Sequence, residues 1–182
     1  MLTLAPSDIR LGVQLDSRDS AIRAVANFLV ERGAVEASYA NSMLARERTA
    51  NTFLGNGVAI PHGQPQDAEL IKETRVVMLQ VPEGVEWKQG AKAYLIFGIA
   101  ARSDEHIGLL SRLTSLTSDA ALAERLAKTD DPAAIVRAVE AESEVFEEVV
   151  PDDGYSGSRV FVEFTNPRGF HLRPASQLAE AT

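Results

Sequence analysis

Cysteine is absent from this chain of 182 residues, which excludes disulfides, thiolate metal sites and a cysteine nucleophile. The N-terminus lacks a basic segment followed by an apolar one, so we expect no secretory signal. Long apolar runs are also missing, because the most apolar stretch, residues 93–101, is too short to cross a bilayer. These absences predict a cytoplasmic location.

A surplus of basic residues is lacking as well. The chain has 18 Lys and Arg against 26 Asp and Glu, a net charge of −8, which argues against nucleic-acid binding. Residues 140–153 hold seven acidic and no basic residues, a composition typical of a solvated linker. The chain as a whole is 45% hydrophobic, which is enough apolar mass for a folded core.

Several common site motifs are missing. The sequence has no GxxxxGK[ST] or GxGxxG loop for nucleotides and no GxSxG motif of a serine hydrolase. Its three histidines have neither helical nor hairpin spacing and no cysteine beside them, so a zinc site is not expected. We therefore expect neither a metal nor a bound cofactor.

Hydrophobic periodicity predicts helices that alternate with short apolar strands. The first helix begins at an N-cap of Asp16 or Ser17 and ends before Gly33, which suits a left-handed C′ position. Continuous apolar strands need cover on both faces, so we predict an α/β sandwich. Further helices are predicted at residues 37–48, after Asp104, at 120–128 and from Pro132, strands at 52–54, 58–60, 75–81 and 93–101, and turns at 55–57 and 82–84.

The chain is predicted to divide into a main domain of residues 1–145, an acidic and Gly/Ser-containing linker of residues 146–158, and a tail of residues 159–182. The tail begins with the apolar strand Val160–Phe164 and has a helix start near His171. One strand and part of a helix cannot bury a core alone. We therefore expect the tail to be the truncated start of a second domain, without an independent fold.

The most informative stretch is GVAIPHG at residues 57–63, which presents the imidazole of His62 at the end of a short apolar strand. Pro61 fixes φ before the ring and Gly63 removes the side chain after it, so we expect an accessible imidazole edge. Neutral imidazole is a good nucleophile near pH 7, because its ordinary pKa is about 6.5. The alternative is a structural histidine that is hydrogen-bonded within the fold.

Two further residues are candidates for holding an anion beside that ring. His106 follows the Asp104 cap into the first turn of a helix, where the helix dipole disfavours imidazolium and a neutral ring offers an N–H donor. Arg46 lies on the second helix, and arginine is the usual bidentate partner of phosphate. On position alone, His106 is better interpreted as solvent-facing, and Arg46 is also consistent with a surface residue paired to Glu47.

Five segments carry a resemblance to a known family: MLARE at 43–47, TFLGNGVAIPHG at 52–63, PEGV at 82–85, GIAA at 98–101 and DEH at 104–106. Together they resemble the IIA domain of the fructose/mannitol class of the bacterial phosphoenolpyruvate-dependent sugar phosphotransferase system. The resemblance covers about residues 1–140, and the TFLGNG motif within it is most similar to the fructose branch of the class. It implies the type-2 EIIA fold, an α/β structure in which helices sandwich a mixed central sheet.

The tail resembles the start of the histidine phosphocarrier HPr, whose GLHARPA motif reads GFHLRPA at residues 169–175. Phe170 and Leu172 depart from that motif, and only about the first quarter of the HPr domain is present. The whole chain is therefore similar to the N-terminal part of a fructose-type multiphosphoryl transfer protein.

The resemblance implies a role for each candidate. His62 would accept a phosphoryl group on Nε2, His106 would donate to the phosphoryl oxygens, and Arg46 would add positive charge in the same pocket. His171 would be the HPr phosphohistidine, modified on Nδ1, with Arg173 and a helix N-terminus receiving the phosphate. These roles agree with the general expectation that phosphoryl transfer depends on positioning and on stabilising spread negative charge.

The implied function is that of a phosphocarrier, a phosphotransferase with a phosphohistidine intermediate and no metal or cofactor. Enzyme I and phospho-HPr would act upstream, and a fructose-class IIB domain of a membrane permease would be the acceptor. That acceptor is a cysteine in the family, so it must lie on another polypeptide. Two alternatives stay open: a regulatory, nitrogen-related EIIA module, and a binding module with structural histidines.

Overall fold

The computed structural model describes residues 4–102, 113 and 116–140. The chain divides into two units, Met1–Val145 and Phe146–Thr182, and every described residue belongs to the first. The predicted linker and tail lie outside the described residues, as does the helix start at Asp104. The predicted boundaries of these segments therefore stay predictions.

A five-stranded mixed sheet forms the centre of the first unit. In chain order its strands are β1 (Ile9–Arg10), β2 (Phe53–Gly55), β3 (Val58–Ala59), β4 (Arg75–Lys88) and β5 (Ala91–Ala100). The long strands β4 and β5 pair antiparallel in the middle, and β1 runs parallel to β4 at one edge. On the other side β3 runs parallel to β5, and β2 pairs antiparallel with β3 as the outermost strand.

Helices cover both faces of this sheet. They are α1 (Arg18–Glu31), α2 (Tyr39–Thr49), α3 (Ala120–Lys128) and α4 (Pro132–Glu140), with short 3-10 helices at Pro6–Asp8 and Pro65–Leu70. Val77 and Leu79 of β4 share a buried core with α1 and α2, while Val76 and Met78 share a second core with α3 and α4. The predicted α/β sandwich is therefore confirmed. Within the described part of the chain, no helix has the length and apolar character needed to cross a membrane.

The first helix begins and ends as the sequence predicts. Ser17 is its N-cap, and the hydroxyls of Ser17 and Ser20 each accept a hydrogen bond of 3.1 Å from the other residue's amide. This reciprocal pair satisfies two donors at the helix start. At the other end Gly33 adopts a φ of 74°, and the Ala34 amide donates back to the Leu29 carbonyl at 3.0 Å, as in a Schellman motif.

One predicted turn is wrong. Residues 82–84 are expected to reverse the chain, but β4 continues through them. The pairing with β5 shifts its register between Gln80 and Val85, so a β-bulge accommodates the proline and glycine, with Gly84 at a φ of 67°. The chain reverses instead at Gly90, which adopts a φ of 76° between the two long strands.

Candidate functional site

His62 lies at the edge of the sheet where two parallel strands end. It follows β3 after Ile60 and Pro61, and it forms a parallel bridge with Ile99 on β5. The Ile99 amide donates to the Pro61 carbonyl at 3.1 Å, which holds this stretch against β5. Because parallel strands end at the same edge of a sheet, the chain leaves β5 beside His62.

A hydrogen bond within this stretch assigns the tautomer of the His62 ring. Nδ1 lies 2.9 Å from the carbonyl oxygen of Ile60, and the ring is half-buried. A carbonyl oxygen only accepts, so Nδ1 carries the proton and donates it. In the neutral ring the lone pair then belongs to Nε2, which is the nitrogen able to act as a nucleophile.

The carbonyl that orients the ring is itself held in place. The Ile60 amide donates to the Thr52 carbonyl at 3.0 Å, and the Thr52 amide donates to the Glu47 carboxylate at 3.1 Å. Glu47 is only 4% exposed and also accepts from the indole N–H of Trp87 at 2.9 Å. A chain of hydrogen bonds therefore connects the buried Glu47 of α2 to Ile60, the residue whose carbonyl orients the His62 ring.

Two side chains of α2 hold the backbone that follows His62. The Tyr39 hydroxyl accepts from the Gly63 amide at 2.9 Å and donates to the Ile99 carbonyl at 3.0 Å. The Ser42 hydroxyl accepts from the Gln64 amide at 2.8 Å. Burial raises the pKa of Tyr39 to about 12, so its hydroxyl keeps its proton at neutral pH.

Arg46 lies in the last turn of α2, where it is half-buried and donates from Nη1 to the Ala50 carbonyl at 2.9 Å. Positions three and four apart on a helix share a face, so Arg46 follows Tyr39 and Ser42 along one side of α2. Tyr39 and Ser42 contact the loop after His62. Arg46 thus lies on the helix face that contacts this loop, and its predicted place near the His62 ring stays a prediction.

The other two predicted site histidines, His106 and His171, lie outside the described residues, so their roles stay predictions. The structure describes the chain leaving β5 as far as residue 102, four residues before His106. Among the described residues, no group of three or more His, Cys, Asp or Glu side chains is arranged to hold a metal ion.

Sequence reasoning missed three residues that support the site. Tyr39 and Ser42 have no motif of their own, and their partners lie 24 and 22 residues away along the chain. The sequence offers Glu47 only as a surface partner of Arg46, whereas the structure buries it against Thr52 and Trp87. For Glu47 a signal was available, because it lies on the apolar stripe of α2.

Comparison with known proteins finds relatives of this chain both in sequence and in structure. Residues 3–142 match the family model of the phosphoenolpyruvate-dependent sugar phosphotransferase system, EIIA 2. A multiphosphoryl transfer protein of Xanthomonas campestris is 43% identical over 97% of this chain and 21% of its own length. The mannitol-specific phosphotransferase enzyme IIA component of Bacillus subtilis is 36% identical over 69% of this chain and 88% of its own length.

A solved structure is similar as well: the mannitol enzyme IIA of Escherichia coli, in its complex with phosphorylated mannitol enzyme IIB. It superposes with a TM-score of 0.71 at 35% identity, over 76% of this chain and 98% of that one. The chain spans only about a fifth of the length of the Xanthomonas relative. The chain belongs to the type-2 EIIA family of the phosphoenolpyruvate-dependent sugar phosphotransferase system.

Proposed function

We propose that this chain is a phosphocarrier and that His62 is its phosphohistidine. It takes a phosphoryl group from phospho-HPr on Nε2 and passes it to the cysteine of a IIB domain on another chain. The observation that carries the proposal is the 2.9 Å hydrogen bond from Nδ1 to the Ile60 carbonyl. That bond keeps the proton on Nδ1, so the lone pair that must attack phosphorus belongs to Nε2.

The neighbours of His62 have roles in this proposal. Arg46, on the face of α2 that carries the loop contacts, supplies positive charge toward the phosphoryl oxygens. His106 donates an N–H to the same oxygens. It lies four positions after residue 102, where the described chain leaves β5, and chain geometry limits that span to about 14 Å. Stabilisation of spread negative charge is the main demand of phosphoryl transfer, and it needs no metal or cofactor in this chain.

A labelling experiment tests the assignment. The full chain is incubated with phosphoenolpyruvate, enzyme I and HPr, digested with trypsin and analysed under conditions that preserve phosphohistidine. The three histidines fall in separate tryptic peptides, residues 49–72, 103–112 and 169–182. We expect one phosphoryl group on residues 49–72, and its formation should require both enzyme I and HPr.

The same digest can reject the proposal. A phosphoryl group found on residues 103–112 and never on residues 49–72 would move the acceptor to His106. A chain that stays unlabelled, while a known EIIA in the same mixture is labelled, would favour a binding module in which His62 is structural.

A smaller effect is expected at the second histidine. His106→Ala keeps the nucleophile but removes a donor to the phosphoryl oxygens, so labelling of residues 49–72 should still reach completion at a rate lowered by roughly 10²-fold. Rapid-quench measurement of transfer from phospho-HPr checks this rate. An unchanged rate would remove His106 from the site.

The partner and the sugar class are proposed from the relatives and from the sequence of residues 52–57. The solved complex of mannitol enzyme IIA with phosphorylated enzyme IIB supports a IIB domain as the acceptor. The TFLGNG motif at residues 52–57 favours a fructose-class IIB. The phosphorylated chain should therefore transfer its phosphoryl group faster to a fructose-class than to a mannitol-class IIB. This step would take place in the cytoplasm, at the inner face of a permease.

The tail is proposed to be an HPr segment with His171 as its phosphohistidine. The alignment with the Xanthomonas multiphosphoryl transfer protein covers 97% of the chain, so it extends past residue 142, where the EIIA family match ends. This supports a second phosphocarrier segment in the same protein, and the attached segment favours sugar transport over a regulatory role.

A further inference from the structure

The Tyr39 hydroxyl bridges two backbone groups at the candidate site. It accepts from the amide of Gly63, the residue after His62, and donates to the carbonyl of Ile99, the bridge partner of His62. The side chain is only 2% exposed, so water cannot replace either bond without opening the core. A single hydroxyl thus ties the loop after the ring to the end of β5.

Gly63 is required for this contact. A Cβ at this position would overlap the Tyr39 ring and lie 2.8 Å from its Cζ and 2.9 Å from its hydroxyl oxygen. These separations are shorter than van der Waals contact, so only glycine lets the backbone reach the hydroxyl. One residue further along, the Ser42 hydroxyl accepts from the Gln64 amide, which adds a second fixed point from the same helix.

We propose that Tyr39, assisted by Ser42, is a positioning residue for phosphoryl transfer at His62. The Ile60 carbonyl holds the ring itself, and the two hydroxyls of α2 hold the backbone that follows it. With both sides fixed, Nε2 keeps one direction during attack on phosphorus. Arg46 on the same helix then keeps a constant place relative to the loop. This inference rests on the proposed role of His62.

Preorganisation of this kind acts on the rate rather than on partner binding. A misplacement of about 1 Å at a reacting group can cost on the order of 100-fold in rate. Tyr39→Phe removes both bonds but keeps the ring that fills the core. We expect this variant to lower the rate constant for transfer from bound phospho-HPr by about tenfold to 100-fold, while the apparent KM for phospho-HPr changes by less than about twofold.

Spectroscopy of the full chain separates positioning from mere stability. Long-range ¹H–¹⁵N correlations of the His62 ring report which nitrogen carries the proton. We expect Nδ1–H in the wild type and a mixture of tautomers in Tyr39→Phe. Amide exchange at Gly63 should accelerate in the variant. Tyr94→Phe is the matched control: it makes the same chemical change on β5 and leaves the bonds to Gly63 and Ile99 intact, so all three readouts should stay at wild-type values.

The outcomes separate this inference from the proposed function. If folded Tyr39→Phe transfers at the wild-type rate and keeps the Nδ1–H tautomer, the positioning role is rejected. If Tyr39→Phe does not fold, Ser42→Ala decides by the same readouts, with slower transfer expected and unchanged transfer rejecting the role. If the wild-type chain takes up no phosphoryl group, the proposed function fails, and the ring tautomer still tests whether Tyr39 orients His62.

Discussion

His62→Ala should abolish phosphoryl uptake on residues 49–72. The substitution removes the nitrogen nucleophile that the Ile60 carbonyl orients, and residues 49–72 contain no second histidine to form the same P–N bond. Loss of a covalent nucleophile lowers rates by on the order of 10⁴-fold or more, so no label should be detected on this peptide after prolonged incubation with phospho-HPr. Tryptic mapping of the phosphorylated chain is the measurement.

The fold should survive this change, because the His62 ring is half-buried and contributes little to either core. We expect the thermal midpoint of His62→Ala to stay within a few degrees of wild type, roughly the effect of 1 kcal/mol or less. Gln66→Ala, an exposed change in the 3-10 helix after the site, is the control and should be labelled like wild type. Wild-type labelling of residues 49–72 in a folded His62→Ala chain would contradict the assignment.

Much of the fold could be predicted because its signals are local. The cap at Ser17, the glycine at Gly33 and the apolar runs of β4 and β5 each depend on neighbours within a few residues. The continuation of β4 through residues 82–84 could not be predicted from such local signals. Proline and glycine there are as consistent with a turn as with a bulge, and the choice depends on register with β5, which is a tertiary property.

The same division applies to the site. His62 is a candidate from the sequence alone because Pro61 and Gly63 flank it directly, whereas Tyr39 reaches the candidate site through bonds to Gly63 and Ile99, which are distant in sequence. A tyrosine on an amphipathic helix normally indicates only core packing. The family resemblance implies modification on Nε2, but the residues alone do not place the proton on Nδ1, since this depends on the distance between the ring and one carbonyl.

The helical spacing of apolar residues in α2 predicts that Glu47 is buried, although a charged residue is normally expected at the surface. Glu47 lies three, four and seven residues after the buried Leu44, Met43 and Ala40, so its position belongs to the apolar stripe of α2. Charged residues are rarely buried without partners, so a carboxylate at such a position predicts a set of donors around it. The structure supplies them from Thr52 and Trp87.

Glu47→Ala should therefore be strongly destabilising. The change leaves the indole N–H of Trp87 and the amide of Thr52 without their acceptor, in surroundings where both residues are at most 4% exposed. Each unsatisfied buried donor costs about 1–3 kcal/mol, so the loss of both should lower the free energy of unfolding by about 2–6 kcal/mol. Arg18, whose Nη1 lies 4.0 Å from the carboxylate, loses a partner as well.

Denaturant unfolding followed by fluorescence measures this effect directly, because Trp87 is the sole tryptophan of the sequence and hydrogen-bonds to Glu47. Glu31→Ala is the matched control: its carboxylate is exposed on α1 and pairs with Arg10 at the surface, so it should cost less than about 1 kcal/mol. Glu47→Gln keeps one acceptor oxygen and should fall between the two. A loss in Glu47→Ala no larger than in Glu31→Ala would mean that the buried carboxylate is dispensable, since its donors would then have found other acceptors.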